Sequence, residues 1–300
     1  MFNQNNFYSV ALGKLQSINY PLLGLIITLF FIGLAALYSI SNGDFNSWPL
    51  KHTQRFMLGL TIFFIVILFD LRLIFGYAYV IFLLSIISLV FIPFFGIESN
   101  GATRWISIAG ISLQPSEFVK YTLILALAKY FHSINSDNSF IKALIIPLII
   151  TTVPVLLVIN QPDLGTALII LLGGISLFWI SGLNYKYFIA GLFFIICSLP
   201  VLWQYLKEYQ KDRVLTFFNP ERDPLGNGYH IMQSKIALGS GGIFGKGYME
   251  GTQSHLNFLP EMQTDFIFTM LGEEFGFVGT LTLLFIYAAL IIVSIRLALK

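Results

Sequence analysis

The sequence predicts an all-α, polytopic membrane protein with about eight transmembrane helices. The chain has 300 residues, of which 56% are hydrophobic and only 11% are charged, and its mean hydropathy is +0.80. This composition lies far outside the balance of a soluble domain. The net charge is only +2 and the basic residues are spread through many loops, so neither a nucleic-acid-binding surface nor a basic tail is indicated.

Apolar runs follow one another along the chain and predict the individual spans. The second run is short for a span, and the last is interrupted by Glu273, Glu274 and several glycines. Ser116 followed by Glu117 predicts a helix N-cap with an acid in the first turn. The runs are Tyr20–Ile40, Phe56–Phe69, Leu73–Ile97, Ser116–Phe131, Ala143–Ile159, Leu164–Leu183, Tyr187–Leu206 and Phe266–Leu299.

The connections between the runs predict the orientation in the membrane. Alternating connections place both chain ends on one side, and the short connections on that side carry a modest excess of Lys and Arg, which makes it the cytoplasmic side. Residues 207–265 then form a large extracytoplasmic loop, too long and too charged to be a passive connection. We expect a single integral membrane domain over residues 1–300 that contains this loop.

Asp265 is the foremost candidate for a functional residue. It stands between a polar loop and the apolar segment Phe266–Phe268, so its carboxylate is expected near the boundary between water and lipid. A carboxylate there is costly unless it is hydrogen-bonded, paired or neutralised, and ionisable groups at membrane depth are functional candidates. Asp265 is equally well explained as the cap of the following helix, and the two roles can coexist.

Two further polar groups are predicted on the same outer face. One combines Arg104 with Gln114, Glu117 and Lys120, and the other is Asp163. Glu117 and Lys120 are three residues apart, hence on one helix face, where an ion pair lowers the cost of each charge. The alternative is that the pair serves helix packing alone. Asp163 follows a proline and precedes Leu-Gly, which is ordinary chemistry for a helix cap.

The long loop contains a glycine-rich segment, Gly239–Gly247, that includes Lys246. Glycine-rich backbone with a lysine can hold an anionic phosphate through its N–H groups, although flexible turns explain the pattern as well. The spacing does not match a nucleotide-binding motif. His230 and His255 lack a spaced set of further ligands and are interpreted as structural rather than metal-binding.

Four long runs closely resemble the SEDS family of bacterial cell-wall proteins. Within that family the run after Tyr229 and the Gly251–Ser254 segment look more like the elongation branch, RodA, than the division branch, FtsW. The matching runs are NGATRWISIAGISLQPSEFVK (Asn100–Lys120), QPDLGTA (Gln161–Ala167), DPLGNGYHIMQSKIALGSGGIFGKG (Asp223–Gly247) and GTQSHLNFLPEMQTDFIF with GEEFG (Gly251–Gly276).

The resemblance implies a peptidoglycan glycosyltransferase of the bacterial cytoplasmic membrane that polymerises lipid II. It implies a class B penicillin-binding protein and other elongation-complex proteins as partners. The family's essential aspartate falls on Asp265, its charged helix start on Glu117 and Lys120, and its QPD aspartate on Asp163. Family members carry His where this chain has Gln263. They also usually have about ten spans, so this chain is expected to be truncated at its C-terminus.

The implied reaction is attack by a sugar hydroxyl of one lipid-linked disaccharide on the anomeric carbon of another. Asp265 would be the general base. The pyrophosphate charge would be offset by basic side chains or by a divalent cation, Mg²⁺ or Mn²⁺. A lipid-linked precursor flippase and a non-catalytic scaffold are the alternatives; a flippase would place its charges near the bilayer midplane. The candidate basic side chains are Arg104, Lys120, Arg213 and Lys246.

Overall fold

The computed structural model describes residues 13–99, 102–108, 111–134, 141–206, 208–223, 226–256 and 258–299. Within these residues the chain is mainly helical, with one small sheet. The helices are α1 (Tyr20–Ile40), α2 (Trp48–Leu68), α3 (Leu71–Gly76), α4 (Ala78–Phe95), α5 (Pro115–Ser133), α6 (Ile146–Ile159, preceded by a π-helical turn Ile141–Ile145), α7 (Leu164–Ile180), α8 (Tyr185–Tyr205), α9 (Glu208–Phe218, followed by a 3₁₀ turn Pro220–Arg222), α10 (Asn227–Ser240), α11 (Thr252–His255) and α12 (Ile267–Ala298). The strands are β1 (Ile97–Ser99), β2 (Ala102–Ile108) and β3 (Ile111–Leu113).

Several helices are long and apolar enough to cross a membrane. Among the described residues, α1, α2, α4 and α12 meet both criteria of length and composition, and α6, α7 and α8 contain shorter apolar stretches. Many large apolar side chains on these helices are exposed, as expected when the surrounding solvent is lipid. The all-helical membrane class is therefore confirmed, and the count of eight spans stays a prediction.

Helix starts in the first half of the chain agree only in part with the predicted runs. α1 has the predicted bounds, with the Asn19 side chain accepting from the Leu22 amide as its N-cap. The predicted run Leu73–Ile97 is divided into α3 and α4 at Tyr77. The Ser116 N-cap prediction is wrong, because Gln114 occupies that position and Ser116 is buried within the first turn. Pro115 lacks an N–H and suits the first helical position, so α5 begins one residue earlier than expected.

The connection predicted as a loop before α5 forms a three-stranded antiparallel sheet in the order β1-β2-β3. Trp105 of β2 pairs with Ile97 of β1, and Ile106 of β2 pairs with Leu113 of β3. The sheet places Arg104 on its central strand and ends at Leu113, directly before Gln114. The positions of Arg104 and Gln114 are thereby set by the sheet and by the start of α5.

Residue contacts divide the chain into two units. The unit formed by Phe69–Pro200 has a buried apolar core to which α4, α5, α6 and α7 contribute. The helices α6 and α7 approach closely: a Cβ at Gly174 of α7 would lie 2.4 Å from the methyl group of Thr151 on α6. Small residues at such crossings allow the close helix packing typical of membrane bundles.

The other unit combines Met1–Leu68 with Val201–Lys300. In it α12 packs against both α1 and α10. α12 is broken at Gly276, which has φ 65° and ψ −161°, a conformation that favours glycine. The break separates a short first part of α12, residues 267–275, from a long second part, and we call the short first part the entry half. The predicted interruption of the last apolar run is therefore a true break in the helix.

Candidate functional site

Asp265 lies on a turn, residues 261–266, that directly precedes α12. The turn is anchored by Met262, which is 8% exposed, and the preceding chain by Leu259, which is 2% exposed. Both pack in one apolar cluster with Ile40 of α1 and Met270 of α12. Asp265 itself is exposed. The arrangement presents an accessible carboxylate on a backbone that is held by buried side chains.

The helix that follows does not use Asp265 as its cap. Phe266 occupies the N-cap position of α12, and no side chain makes a capping hydrogen bond there. The Asp265 amide donates to the carbonyl of Glu261 (3.0 Å). Glu261 has φ 45°, a left-handed conformation that is uncommon for a residue with a side chain and that is found more often near functional sites. The capping explanation of Asp265 therefore loses its support.

A buried carboxylate missed by the sequence analysis lies in the entry half of α12. Glu273 is 0% exposed, and its Oε1 accepts from Lys246 Nζ (2.7 Å) and Thr252 Oγ1 (3.1 Å). The backbone N–H of Gln253 donates to both carboxylate oxygens of Glu273, at 3.1 Å and 3.2 Å. We call Glu273, Lys246, Thr252 and Gln253 the Glu273 cluster. Hydrogen bonds and a cation offset the cost of burying the charge.

The glycine-rich segment interlocks with the break in α12. The amides of Lys246 and Gly247 donate to the carbonyls of Glu273 and Glu274, at 3.0 Å and 3.1 Å. A Cβ at Gly245 would lie 2.0 Å from the Glu274 carbonyl oxygen, so glycine is required there for close approach. These two amides are not free to cradle a phosphate. Beyond the break the amides donate in return: Phe277 to Gly242 (2.9 Å) and Val278 to Ile243 (3.1 Å).

Two predicted basic residues of this unit have different surroundings. The Lys246 side chain is 26% exposed and forms an ion pair with Glu273, while its ammonium also donates to Thr252 Oγ1 (2.8 Å). Arg213 is exposed on α9. Contact of either residue with a substrate stays a prediction.

Tyr248 lies directly after the glycine-rich segment and ties it to α1. Its hydroxyl donates to the Ala35 carbonyl (3.0 Å). Desolvation, with a smaller contribution from the negative charge of Glu274, raises the pKa of the Tyr248 phenol above its ordinary value. The hydroxyl therefore remains a proton donor in this hydrogen bond.

In the Phe69–Pro200 unit, Asp163 is the N-cap of α7, as predicted. Its Oδ1 accepts from the Thr166 amide (3.1 Å) and its Oδ2 from Thr166 Oγ1 (2.9 Å). Gln114 Nε2 donates to Oδ2 as well (3.2 Å), and Arg104 Nη1 lies 3.8 Å from it. The structure therefore brings Arg104 and Gln114 together around Asp163, whose side chain is 12% exposed.

Arg104 also holds the backbone of the turn that carries Asp163. Its Nε donates to the Gln161 carbonyl (3.1 Å) and its Nη2 to the Pro162 carbonyl (2.6 Å). Gln161 is buried, and its side-chain amide donates to the Leu89 carbonyl (3.2 Å). The guanidinium thus joins β2 to the turn between α6 and α7.

Glu117 and Lys120 form the predicted ion pair in the first turns of α5. Glu117 Oε2 and Lys120 Nζ are 2.8 Å apart, and the side chains are 48% and 21% exposed, respectively. Exposure of the carboxylate means that desolvation contributes little to the energy of this pair. A role of the pair in substrate binding stays a prediction.

The described part of the chain contains no group of three or more His, Cys, Asp or Glu residues that could hold a metal ion. His230 lies edge-on to Tyr229, with ring centroids 5.8 Å apart, and its buried Nδ1 has no hydrogen-bond partner. The requirement for a divalent cation stays a prediction.

The model of the family that contains FtsW, RodA and SpoVE, described as cell cycle protein, matches residues 16–300. The chain belongs to this family. It is 40% identical over 270 residues to the peptidoglycan glycosyltransferase MrdB of Escherichia coli K12, covering 89% of this chain and 72% of MrdB. It is 32% identical over 276 residues to the stage V sporulation protein E of Bacillus subtilis 168, covering 89% of this chain and 66% of that protein.

Solved structures of family members have the same fold. A chain from a peptidoglycan synthase complex that coordinates polymerization and crosslinking aligns with a TM-score of 0.79 at 31% identity, covering 94% of this chain and 79% of that one. The rod shape determining protein RodA of Thermus thermophilus aligns with a TM-score of 0.68 at 26% identity, covering 94% and 76%. The predicted family is confirmed, and the chain is a multi-pass membrane protein.

Proposed function

We propose that this chain is a peptidoglycan glycosyltransferase that polymerises lipid II into glycan strands during cell elongation, with Asp265 as general base. The observation that carries the proposal is the exposed Asp265 carboxylate, on a turn anchored by buried side chains at the start of a membrane-length helix. The relatives named peptidoglycan glycosyltransferases favour an enzyme over a flippase or a non-catalytic scaffold.

The chemistry requires one proton acceptor and a stabilised leaving group. A sugar hydroxyl of one lipid-linked disaccharide forms a bond to the anomeric carbon of another, and undecaprenyl pyrophosphate departs with the electron pair of the broken bond. Asp265 takes the hydroxyl proton as that bond forms. A positioned base contributes about 10²–10⁴-fold to such a step. Its place next to an apolar helix suits a substrate whose isoprenoid tail stays in the bilayer.

Basic side chains are proposed to offset the charge of the pyrophosphate. In the unit that contains Asp265 this is Arg213, which is exposed; the predicted Lys246 is assigned instead to its ion pair with Glu273. In the other unit Asp163 holds Arg104 and Glu117 holds Lys120 through the contacts described above, and substrate binding by these four residues stays a prediction. A divalent cation, Mg²⁺ or Mn²⁺, is proposed as an alternative source of positive charge.

The proposed partners follow from the family. The peptidoglycan synthase complex to which a structural relative belongs supports pairing with a class B penicillin-binding protein, which would supply crosslinking. We place the enzyme in the bacterial cytoplasmic membrane with its N-terminus inside and residues 207–265 outside. The Asp265 turn then faces the compartment where glycan strands are assembled.

Asp265→Asn tests the assignment of the general base. The amide has the size of the carboxylate but cannot accept the proton, so glycan polymer formed from labelled lipid II should fall at least about a hundredfold at matched folded protein. Glu261→Gln is the control, because it removes an exposed acid from the same turn and should leave the rate close to wild type.

Substantial polymer from Asp265→Asn would remove Asp265 from the role of base. Scrambling of lipid II by the wild-type protein, with no polymer formed alone or with its partner, would favour the flippase.

A further inference from the structure

The buried carboxylate of Glu273 has partners on both segments that lead to the Asp265 turn. Lys246 belongs to the glycine-rich segment, and its ammonium lies 2.7 Å from Glu273 Oε1. Gln253 belongs to α11, and its amide donates to both carboxylate oxygens. Glu273 itself lies in the entry half of α12, which begins directly after the turn. The Glu273 side chain therefore links the glycine-rich segment and α11 to the entry half of α12, and Asp265 lies on the chain between α11 and the entry half.

The turn and the entry half have further contacts, among them a buried hydrogen bond from Ser39 Oγ of α1 to the Glu274 carboxylate. Leu259 and Met262 anchor the turn by apolar burial, which stabilises without fixing orientation. The entry half is held against α10 by a hydrogen bond between Ser234 Oγ and Thr269 Oγ1 (2.7 Å). The hydrogen bonds of Glu273 are charge-assisted and directional, so they are suited to setting the angle at which the chain returns from α11 to the turn.

We propose that Glu273 is a positioning residue for Asp265: it holds α11 and the glycine-rich segment against the entry half of α12 and thereby orients the turn that bears the base. The inference rests on the proposed role of Asp265. Lys246 contributes to this positioning as the counter-charge of Glu273. Removing one partner of a buried ion pair leaves an uncompensated charge, so both residues are needed.

The central test is a double-mutant cycle on this ion pair. In Glu273→Gln the amide oxygen still accepts from Gln253, but Lys246 loses its counter-charge, so kcat should fall by about tenfold to a hundredfold while KM changes less than about twofold. Lys246→Met should have a similar effect. The double variant removes both charges, keeps the acceptor for Gln253 and should recover most of kcat.

Matched folded protein separates positioning from stability. If Glu273 served stability alone, each variant would show wild-type kcat per folded molecule, and the proposal would be overturned. If Lys246→Met raised KM in the Glu273→Gln background as well, Lys246 would contact substrate and its role as mere counter-charge would be wrong.

The exposed pair Glu208–Lys211 on α9 is the control. Its atoms are 3.3 Å apart, and the Glu208 side chain is 86% exposed. The same cycle, Glu208→Gln with Lys211→Met, should show no coupling in kcat because such pairs contribute little. Coupling of equal size in both cycles would show that the effect is not specific to Glu273.

Hydrogen exchange provides a readout that does not depend on activity. Backbone amides of residues 261–266 should exchange about tenfold faster in Glu273→Gln, which loses charge-assisted hydrogen bonds, and return close to wild type in the double variant. Faster exchange together with an active Asp265→Asn would refute the proposed function and keep the positioning of the turn. Unchanged exchange and kcat in Glu273→Gln, beside an inactive Asp265→Asn, would refute positioning alone.

Discussion

Asp265 and Glu273 are two acids in one stretch of the chain with opposite surroundings. Asp265 is exposed on a turn, whereas Glu273 is 0% exposed and accepts from three residues. A base must reach its substrate, so the accessible carboxylate suits proton transfer. The Glu273 oxygens already accept hydrogen bonds from neighbouring residues, so this carboxylate is suited to holding the surrounding backbone in place. The environment of each acid, rather than its residue type, separates the two roles.

Asp163 should contribute more stability than an ordinary capping aspartate. Its carboxylate caps α7 and also binds Gln114, so Asp163→Ala should lower the free energy of unfolding by about 2 kcal/mol, the sum of a lost cap and a lost charged hydrogen bond. Asp70→Ala is the matched control, because Asp70 caps α3 through the Arg72 amide (2.9 Å) and should cost about 1 kcal/mol. Denaturant unfolding in detergent measures both. Equal losses would show that the contacts of Asp163 with Gln114 and Arg104 add nothing beyond the cap.

The Glu117–Lys120 pair should show weak coupling. Because Glu117 is half exposed, we expect a coupling energy of about 0.2–1 kcal/mol. The stability lost in the double variant should therefore be smaller, by that amount, than the sum of the losses in the two single variants. Glu117→Gln, Lys120→Met and the double variant are compared by thermal unfolding and by polymer formation. Single and double variants that behave alike in both would show that the two side chains do not act as a pair.

At the scale of elements, the break in α12 and the glycine-rich segment form one interlocked structure. Carbonyls freed at the end of the entry half accept from the segment, and amides freed after the break donate to it. A broken helix leaves such groups unpaired, and an apolar surrounding makes this costly. The segment therefore completes the hydrogen bonding of the helix, which explains its glycines without a bound phosphate.

Gly245→Ala should disrupt this interlock. Gly245 has φ 85°, and a Cβ there would lie 2.0 Å from the Glu274 carbonyl oxygen, so the loss in the free energy of unfolding should exceed about 2 kcal/mol. Gly239→Ala is the control from the same segment, because a Cβ at Gly239 meets nothing within 4 Å and the residue lies in α10. It should be neutral or stabilising by about 0.5–1 kcal/mol. Thermal unfolding of the two variants decides, and equal stability would contradict the interlock.

Local signals explain which elements the sequence predicts. Asn19 and Pro21 mark the start of α1, and the apolar run defines its length, so its bounds are readable from local chemistry. The sheet before α5 is not, because its strands are short and their pairing depends on partners across the turns. Asp265 could be selected from its position at an apolar boundary. Glu273 could not, because its burial depends on Lys246, far away in the sequence.

At the scale of the whole molecule, both units leave large apolar side chains exposed. The core of the Phe69–Pro200 unit lies between helices, while Phe94 and Ile180 on its surface are each 76% exposed. Exposed apolar side chains on this scale are unfavourable in water but not in lipid. Such surfaces can also pack against transmembrane helices of other proteins.

Two of the lysines that contribute to the predicted charge bias contact helix ends. In one unit Lys14 Nζ donates to the Leu68 carbonyl at the end of α2 (3.1 Å). In the other, Lys129 Nζ donates to the Gly76 carbonyl at the end of α3. Both lie on the side predicted to be cytoplasmic, where basic residues accumulate, and each can also interact favourably with the carbonyl end of a helix.

Single-cysteine labelling tests the proposed orientation. Cys197 is exposed and is first replaced by Ser, and a new cysteine is introduced at Phe244, which is 81% exposed, or at Lys186. In sealed right-side-out vesicles a membrane-impermeant maleimide should label Phe244→Cys at once and Lys186→Cys only after permeabilisation. The reverse pattern would place the Asp265 turn inside the cell and remove it from the face where strands of peptidoglycan are assembled.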